Sequence, residues 1–379
     1  MKIAFFSTLL RYGGDVTRNI QVARRISKNN EIIFFNSENT KKFKIRSNTE
    51  FRLKFLKDIK FPLINLLTPY YYLPRNYLIF QNFDIIHSST YRLNLLAIKI
   101  KKEFGIPFLQ TIHIIPQIDY TIKNLITYPI INDWMRLTSK NADVLIVPSK
   151  YTHKLLRKKY HVSSLVIPNG ITVDNFLKSP DLSVKKELKL ENKKIILFVG
   201  QIRESKGIHI LIKSLKKVKE KYPEIFLLIV GRIPTTHGID YVKFLIRIIE
   251  DNKLRNSVRF LLDVSDELLK SIYSIADIFV LPSLYFEYQG IVLLEAMVSN
   301  VPVIGSITEG IPEMIKNEKN GLLFEKGNSD DLSDKIIKLI DDKELRDNLI
   351  EKANLIIDQK YNWDIIAEQI INLYKKYNV

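Results

Sequence analysis

Twice along the chain, short runs of β-branched and aromatic residues alternate with amphipathic stretches of helical length, and this alternation restricts the fold more than any other feature. In the first half the runs are KIAFFS (2–7), EIIFFN (31–36), DIIHSS (84–89), PFLQTIH (107–113) and DVLIVPS (143–149). In the second they are IILFVG (195–200), IFLLIVG (225–231), VRFLL (258–262), DIFVLPS (277–283) and VPVIG (301–305). Unbroken apolar runs suit strands covered on both faces, and the intervening helices supply the crossovers of a parallel sheet. Each half is therefore expected to be a doubly wound α/β domain, in which ligands sit beyond the carboxyl ends of the strands. Gly14, His113, Gly200, Gly231 and the stretch PSLYFEYQGIVLLEAM (282–297) all fall there.

Length agrees with two such halves, because 379 residues exceed the size at which a single core stops growing. The segment PNGITVDNFLKSPDLSVKKELKLE (168–191) opens on turn residues and continues polar, so it is read as the linker. The chain has no cysteine, which excludes disulfides, thiolate metal sites and cysteine nucleophiles and fits a cytoplasmic setting. The apolar start MKIAFFSTLL is too short, and too soon followed by Arg11, to read as a signal peptide. No charge-free run reaches the roughly 18 residues of a membrane span, and the longest, Phe104 to Ile118, is interrupted by Gly105, Pro107 and Pro116.

The net charge of +17 lies wholly in one half. Residues 1–170 carry 27 Lys+Arg against 10 Asp+Glu, whereas residues 171–379 carry 31 of each. A polyanionic partner of the first half is implied, whether anionic lipid, phosphate or nucleic acid. Within it, residues 41–77 interleave eight basic side chains, from Lys41 to Lys60, with Phe51, Phe55, Phe61 and Tyr70 to Tyr72. Such a segment suits a bilayer interface, and equally a solvated basic loop.

In the second half, Gly290 stands where a helix begins after DIFVLPS, with Ile291 and Val292 in its first turn. A helix start offers unpaired N–H groups and a partial positive charge, which favour a phosphate. Glu295 lies about one and a half turns inside, placed to accept from vicinal hydroxyls such as those of a ribose. Glu287 precedes the helix on a loop. Taken alone, two such acids are ordinarily solvated side chains or dipole partners. They do not stand alone: GQIRESKG (200–207) brings Arg203 and Lys206 to another strand end, a cation pair suited to a diphosphate, and Gly310 and Pro312 follow a third.

With these residues the chain resembles the retaining GT-B glycosyltransferases of family 4. Their E-x7-E signature is met by Glu287 and Glu295 with Gly290 between them, and YGGDVTRNIQVARRIS, DIIHSS, TIH, ADVLIVPSKYT, VIPNGITVDNF, VGQIRESKG, ADIFVLPS, VPVIGS and NGLLF follow in family order. The resemblance implies a GT-B fold, two Rossmann-like parallel-sheet domains facing a central cleft. It implies an acceptor domain at 1–175, a nucleotide-sugar domain at 176–360, and a last helix (361–379) that crosses back to the first. It implies that Glu287 contacts the donor sugar, Glu295 the ribose, and Arg203 and Lys206 the diphosphate, at a helix start formed by Gly290, Ile291 and Val292. Gly13 and Gly14 would lie near donor and acceptor, and His113 near the anomeric carbon. The implied activity is a metal-independent, retaining hexosyltransferase without cofactor, using a nucleotide sugar as donor. Its acceptor would be a glycan or lipid-linked hydroxyl at an anionic membrane surface. No D-x-D and no H-E-x-x-H occurs, so no metal site is expected. Charge alone also admits a nucleic-acid-binding protein, but no nucleic-acid motif accompanies it. The chain departs from the family at Gln201, often arginine, at Glu309, commonly glycine, and by one extra residue before Glu287.

Overall fold

The computed structural model describes residues 1–7, 14–36, 52–55, 77–90, 93–115, 122–176, 179–234 and 238–378. The chain forms two compact units, one of Met1–Asn169 with Trp363–Val379 and the other of Gly170–Asn362.

The first unit holds a wholly parallel sheet of β1 (Lys2–Phe6), β2 (Glu31–Asn36), β3 (Arg52–Phe55), β4 (Ile85–Ser88), β5 (Phe108–Thr111), β6 (Val144–Val147) and β7 (Leu165–Val166). Their order is β3-β2-β1-β4-β5-β6-β7, so the direction of winding switches between β1 and β4. Helices α1 (Gly14–Ile26), α2 (Asn94–Phe104), α3 (Ile122–Asn141) and α4 (Lys150–Tyr160) make the crossovers. β1 shows why the apolar runs are unbroken. Ile3 and Phe5 pack with Val22 and Ala23 of α1 on one face, while Ala4 and Phe6 pack with Leu96 and Ile100 of α2 on the other. Alternate side chains of a strand point to opposite faces, so covering both faces demands apolar residues at every position. Each large side chain removed from water this way contributes about 1.5–3 kcal/mol.

The second unit repeats the pattern with β8 (Lys194–Val199), β9 (Ile225–Gly231), β10 (Val258–Leu262), β11 (Ile278–Leu281), β12 (Val303–Ser306) and β13 (Leu322–Phe324), ordered β10-β9-β8-β11-β12-β13 and again all parallel. Its helices are α5 (Leu182–Glu187), α6 (Ile208–Lys221), α7 (Gly238–Asp251), α8 (Asp266–Ser274), α9 (Ile291–Val298), α10 (Ile311–Met314), α11 (Ser329–Asp341) and α12 (Lys343–Ile356). Part of the segment read as a linker is in fact α5, which the unit retains by burying Val184. The last helix, α13 (Trp363–Tyr377), belongs to the first unit. It buries Trp363, Ile366, Ala367 and Ile370 in the core that contains Val22 and Ala23, and Asp364 pairs with Arg25 of α1 at 2.6 Å.

Three of the apolar runs begin with aspartate, and the structure gives those acids one shared task. Asp84 accepts the backbone N–H of Lys2 at 2.7 Å, Asp143 that of Phe108 at 2.9 Å, and Asp277 that of Ile195 at 2.6 Å. Each carboxylate satisfies a donor at the start of the neighbouring strand, where the ladder has not yet begun, and so helps to fix strand register.

Candidate functional site

In the second sheet the winding switches between β8 and β11, and the turns that leave β8, β11 and β12 lie side by side because the strands do. They are laced together. Leu284 N–H donates to Ser205 O at 2.8 Å, Gly310 N–H to Glu287 O at 3.0 Å, and Ser306 Oγ to Ser283 O at 2.5 Å. Two glycines make the approach possible. Gly207 has φ 65°, and a Cβ there would stand 2.0 Å from Pro282 O; a Cβ on Gly310 would stand 2.1 Å from Tyr288 O. Any side chain at either position would push the turns apart.

This lacing brings together residues distant in sequence. Lys206 ends a 3₁₀ turn (Glu204–Lys206) after β8, and its Nζ donates to Glu287 Oε2 at 2.5 Å. Ser283 Oγ donates to the same oxygen at 2.9 Å, and the Glu287 backbone N–H donates to the carboxylate of Glu309. The pair is nearly dry, with side-chain exposures of 15% for Lys206 and 8% for Glu287. Phe286 adopts φ 65° and Glu309 φ 46°, both in the left-handed region that non-glycine residues seldom occupy. Phe286 immediately precedes Glu287, in the segment lengthened relative to the family.

Gly290 caps the start of α9, and Ile291 and Val292 form its first turn, half-buried. Glu295 projects from the same helix, where its Oε2 accepts from the hydroxyl of Tyr273 at 2.8 Å. Burial raises the Glu295 carboxyl above its ordinary range, and the tyrosine hydrogen bond opposes that rise. Tyr273 itself is held protonated by burial and then by the charge of Glu295, so it remains the donor. Arg203 stands between β8 and the 3₁₀ turn, and its Nε is buried without a hydrogen-bond partner among the described residues. A buried N–H left unpaired is costly, which marks it as a position for an oxygen ligand.

The first unit carries a polar cluster at its own strand ends. Gly14 opens α1 after β1, and Gly13 lies outside the described residues. Arg18, four residues into α1, is buried and donates through Nη1 to Ile167 O, Pro168 O and Asn169 Oδ1 at 2.9, 2.8 and 3.1 Å. His87, at the end region of β4, joins Tyr374 Oη of α13 at 2.5 Å and Thr111 Oγ1 of β5 at 2.7 Å. His113 follows β5, and its Nε2 is buried with no partner among the described residues. Burial first, and then the charge of Arg18, pull both histidines down to about 3. Both are therefore neutral near pH 7, and neither is poised as an acid–base group there. As neutral imidazoles they can still donate or accept hydrogen bonds.

Ser283, Tyr273, Arg18 and His87 were not singled out from the sequence, although Ser283, Arg18 and His87 lie inside motifs that were. Their hydrogen-bond partners are 4, 22, about 150 and 287 residues away, and residue type alone does not mark them. Among the described residues, no group of three or more His, Asp or Glu is arranged to hold a metal ion, and no helix is long and apolar enough to cross a membrane. Most of the basic, aromatic segment at 41–77 lies outside the described residues; within it β3 extends the sheet edge beside β2.

Comparison with known proteins agrees with this architecture in both units. The family model described as Glycosyltransferase Family 4 matches residues 12–175, and that described as Glycosyl transferases group 1 matches residues 181–356. An uncharacterized glycosyltransferase of Methanocaldococcus jannaschii, MJ1607, is 33% identical over 219 residues, 55% of this chain and 53% of that protein. The match thus spans about half the length of that relative. The phosphatidyl-myo-inositol mannosyltransferase of Mycobacterium leprae is 26% identical over 79% of this chain and 75% of its own. Among solved structures, HepE of Anabaena in complex with UDP superposes with a TM-score of 0.83 over 99% of this chain and 100% of that one. Its 20% identity makes this a likeness of fold.

Proposed function

The chain belongs to glycosyltransferase family 4, and on that premise we propose that it transfers a hexose from a nucleotide sugar to an acceptor hydroxyl, with retention at the anomeric carbon. The observation that carries the reading is the Lys206–Glu287 pair at the switch point of the second sheet. A cation and a carboxylate held together at two neighbouring strand ends meet the two halves of a nucleotide sugar: Lys206 and Arg203 the diphosphate, Glu287 the sugar hydroxyls. Glu295, steadied by Tyr273, accepts from the ribose, and the N–H groups of Ile291 and Val292 face the diphosphate at the start of α9.

In the transfer itself the acceptor oxygen bonds to the anomeric carbon as the bond from that carbon to the diphosphate oxygen breaks. The hydroxyl proton passes to the departing phosphate. Attack from the leaving-group face gives retention without a protein nucleophile. Charge growing on the diphosphate is stabilised by Lys206, Arg203 and the helix start rather than by a divalent ion, in keeping with a sequence that has no D-x-D. His113 lies, by family resemblance, near the anomeric carbon, where a neutral imidazole offers a hydrogen bond without a competing charge. Gly13 and Gly14 serve the donor and acceptor. The basic excess of residues 1–170 suits an acceptor presented at an anionic membrane surface, a lipid-linked or growing glycan, and one relative is named a phosphatidyl-myo-inositol mannosyltransferase.

The test is to incubate the full chain with UDP-, GDP- and ADP-hexoses carrying labelled sugar, with and without membrane extract. Label in an acceptor with the anomeric configuration of the donor supports the reading. Nucleotide binding with neither transfer nor hydrolysis under any condition contradicts it and leaves a silent sugar-nucleotide-binding subunit.

A further inference from the structure

We infer that Glu309 selects among donor sugars, setting a second carboxylate at the sugar end of the site and turning away donors whose sugar is itself anionic. The inference rests on the reading of Glu287 as the acid that meets the sugar.

Its first support is direct contact. The Glu309 carboxylate accepts the backbone N–H of Glu287, so two acids from different turns are fastened to one short loop. The second is the backbone. Glu309 holds φ 46°, a conformation that glycine enters without penalty and glutamate does not. The adjoining Gly310 is packed so closely on Tyr288 O that this turn has little freedom to relax. A residue kept in a disfavoured conformation beside a site points from strain to function. The third is the layout of charge. The cations Arg203 and Lys206 both come from the turn after β8, whereas Glu287 and Glu309 come from the turns after β11 and β12. Lys206 offsets Glu287 at 2.5 Å, so Glu309 is what makes the sugar end acidic while Arg203 leaves the diphosphate end basic.

A neutral hexose offers hydroxyl donors to that acidic end. A uronic acid brings a carboxylate against that of Glu309, and like charges at close range are discriminated by about tenfold or more. Repulsion of the wrong substrate, not added grip on the right one, is what Glu309 supplies.

Calorimetric titration of the full chain decides the matter. UDP, GDP and ADP are titrated first, and the nucleotide that binds selects the matched pair: UDP-glucose with UDP-glucuronate, GDP-mannose with GDP-mannuronate, or ADP-glucose with ADP-glucuronate. The wild type is expected to favour the neutral sugar by about tenfold or more, less so as salt rises. Glu309→Gln keeps an oxygen to accept from Glu287 and removes the charge; it should narrow the preference by about tenfold while the bare nucleotide binds within about twofold of wild type. Glu309→Gly should narrow it too, and fold at least as stably. An unchanged preference in Glu309→Gln, or no preference in the wild type, overturns the inference and leaves the donor site standing. Failure of all three nucleotides to bind the wild type overturns the donor-site reading, and this inference with it.

Discussion

The ammonium of Lys206 and the carboxylate of Glu287 lie 2.5 Å apart although 81 residues separate them in the chain. They meet because β8 and β11 are neighbours and Gly207 lets their two turns touch at Pro282. Removing one partner strands a nearly buried charge, so Lys206→Ala and Glu287→Ala should each cost about 2–4 kcal/mol of stability. The Lys206→Ala/Glu287→Ala double variant should cost less than the sum. Urea unfolding measures all three; strict additivity would mean that the pair contributes no coupling. Transfer should drop on the order of 100-fold or more in each single variant.

The aspartate that pins the start of β8 offers a control. Asp277→Ala removes the acceptor of Ile195 N–H at the end of the strand opposite the site. It should cost about 1–2 kcal/mol of stability and leave nucleotide affinity unchanged. A large loss of affinity in a folded Asp277→Ala protein would show that the site depends on strand register.

The buried histidines predict how the fold responds to acid. His87 and His113 are pulled from 6.5 to about 3 in the folded chain, whereas the unfolded chain takes up their protons near pH 6.5. The unfolded state thus binds more protons between those values, and stability is retained above pH 6.5 and lost as pH falls toward 3. Each histidine contributes up to about 1.4 kcal/mol per pH unit in that window. Between pH 6.5 and 5, His87→Asn should flatten the slope relative to wild type. An unaltered slope would mean that His87 is already protonated in the fold.

The charge asymmetry predicts adsorption to membranes. The full chain should sediment with vesicles containing phosphatidylserine and much less with phosphatidylcholine alone, and salt should weaken the difference over a Debye length of roughly 8 Å at physiological strength. Equal sedimentation with both compositions would remove the electrostatic case for a membrane acceptor.

The fold class was readable because fully covered parallel strands need apolar residues on both faces, and ten runs of that kind stand out. The strands that were not foreseen lack that signal. β3, RLKF, alternates charge with apolar residues at a sheet edge; β7 is two exposed residues; β13 is three residues long. Helix α5 was hidden in a polar stretch because only Val184 anchors it. At the site, Glu287, Lys206 and Gly290 were visible as residue types at strand ends, but their contacts were not. That Glu309 holds Glu287 follows from the pairing of β11 and β12 across a long crossover, whereas Ser283 reaches Glu287 from four residues away in the same turn.

The most direct measurement is calorimetric titration of UDP, GDP and ADP into the full chain and into the Glu295→Ala and Lys206→Ala variants. One nucleotide should bind the wild type and lose at least about tenfold in each folded variant, since a hydrogen-bonded charge is removed from the ribose or the diphosphate. Undiminished binding in both variants would place the nucleotide elsewhere and contradict the assignment of the strand-end site.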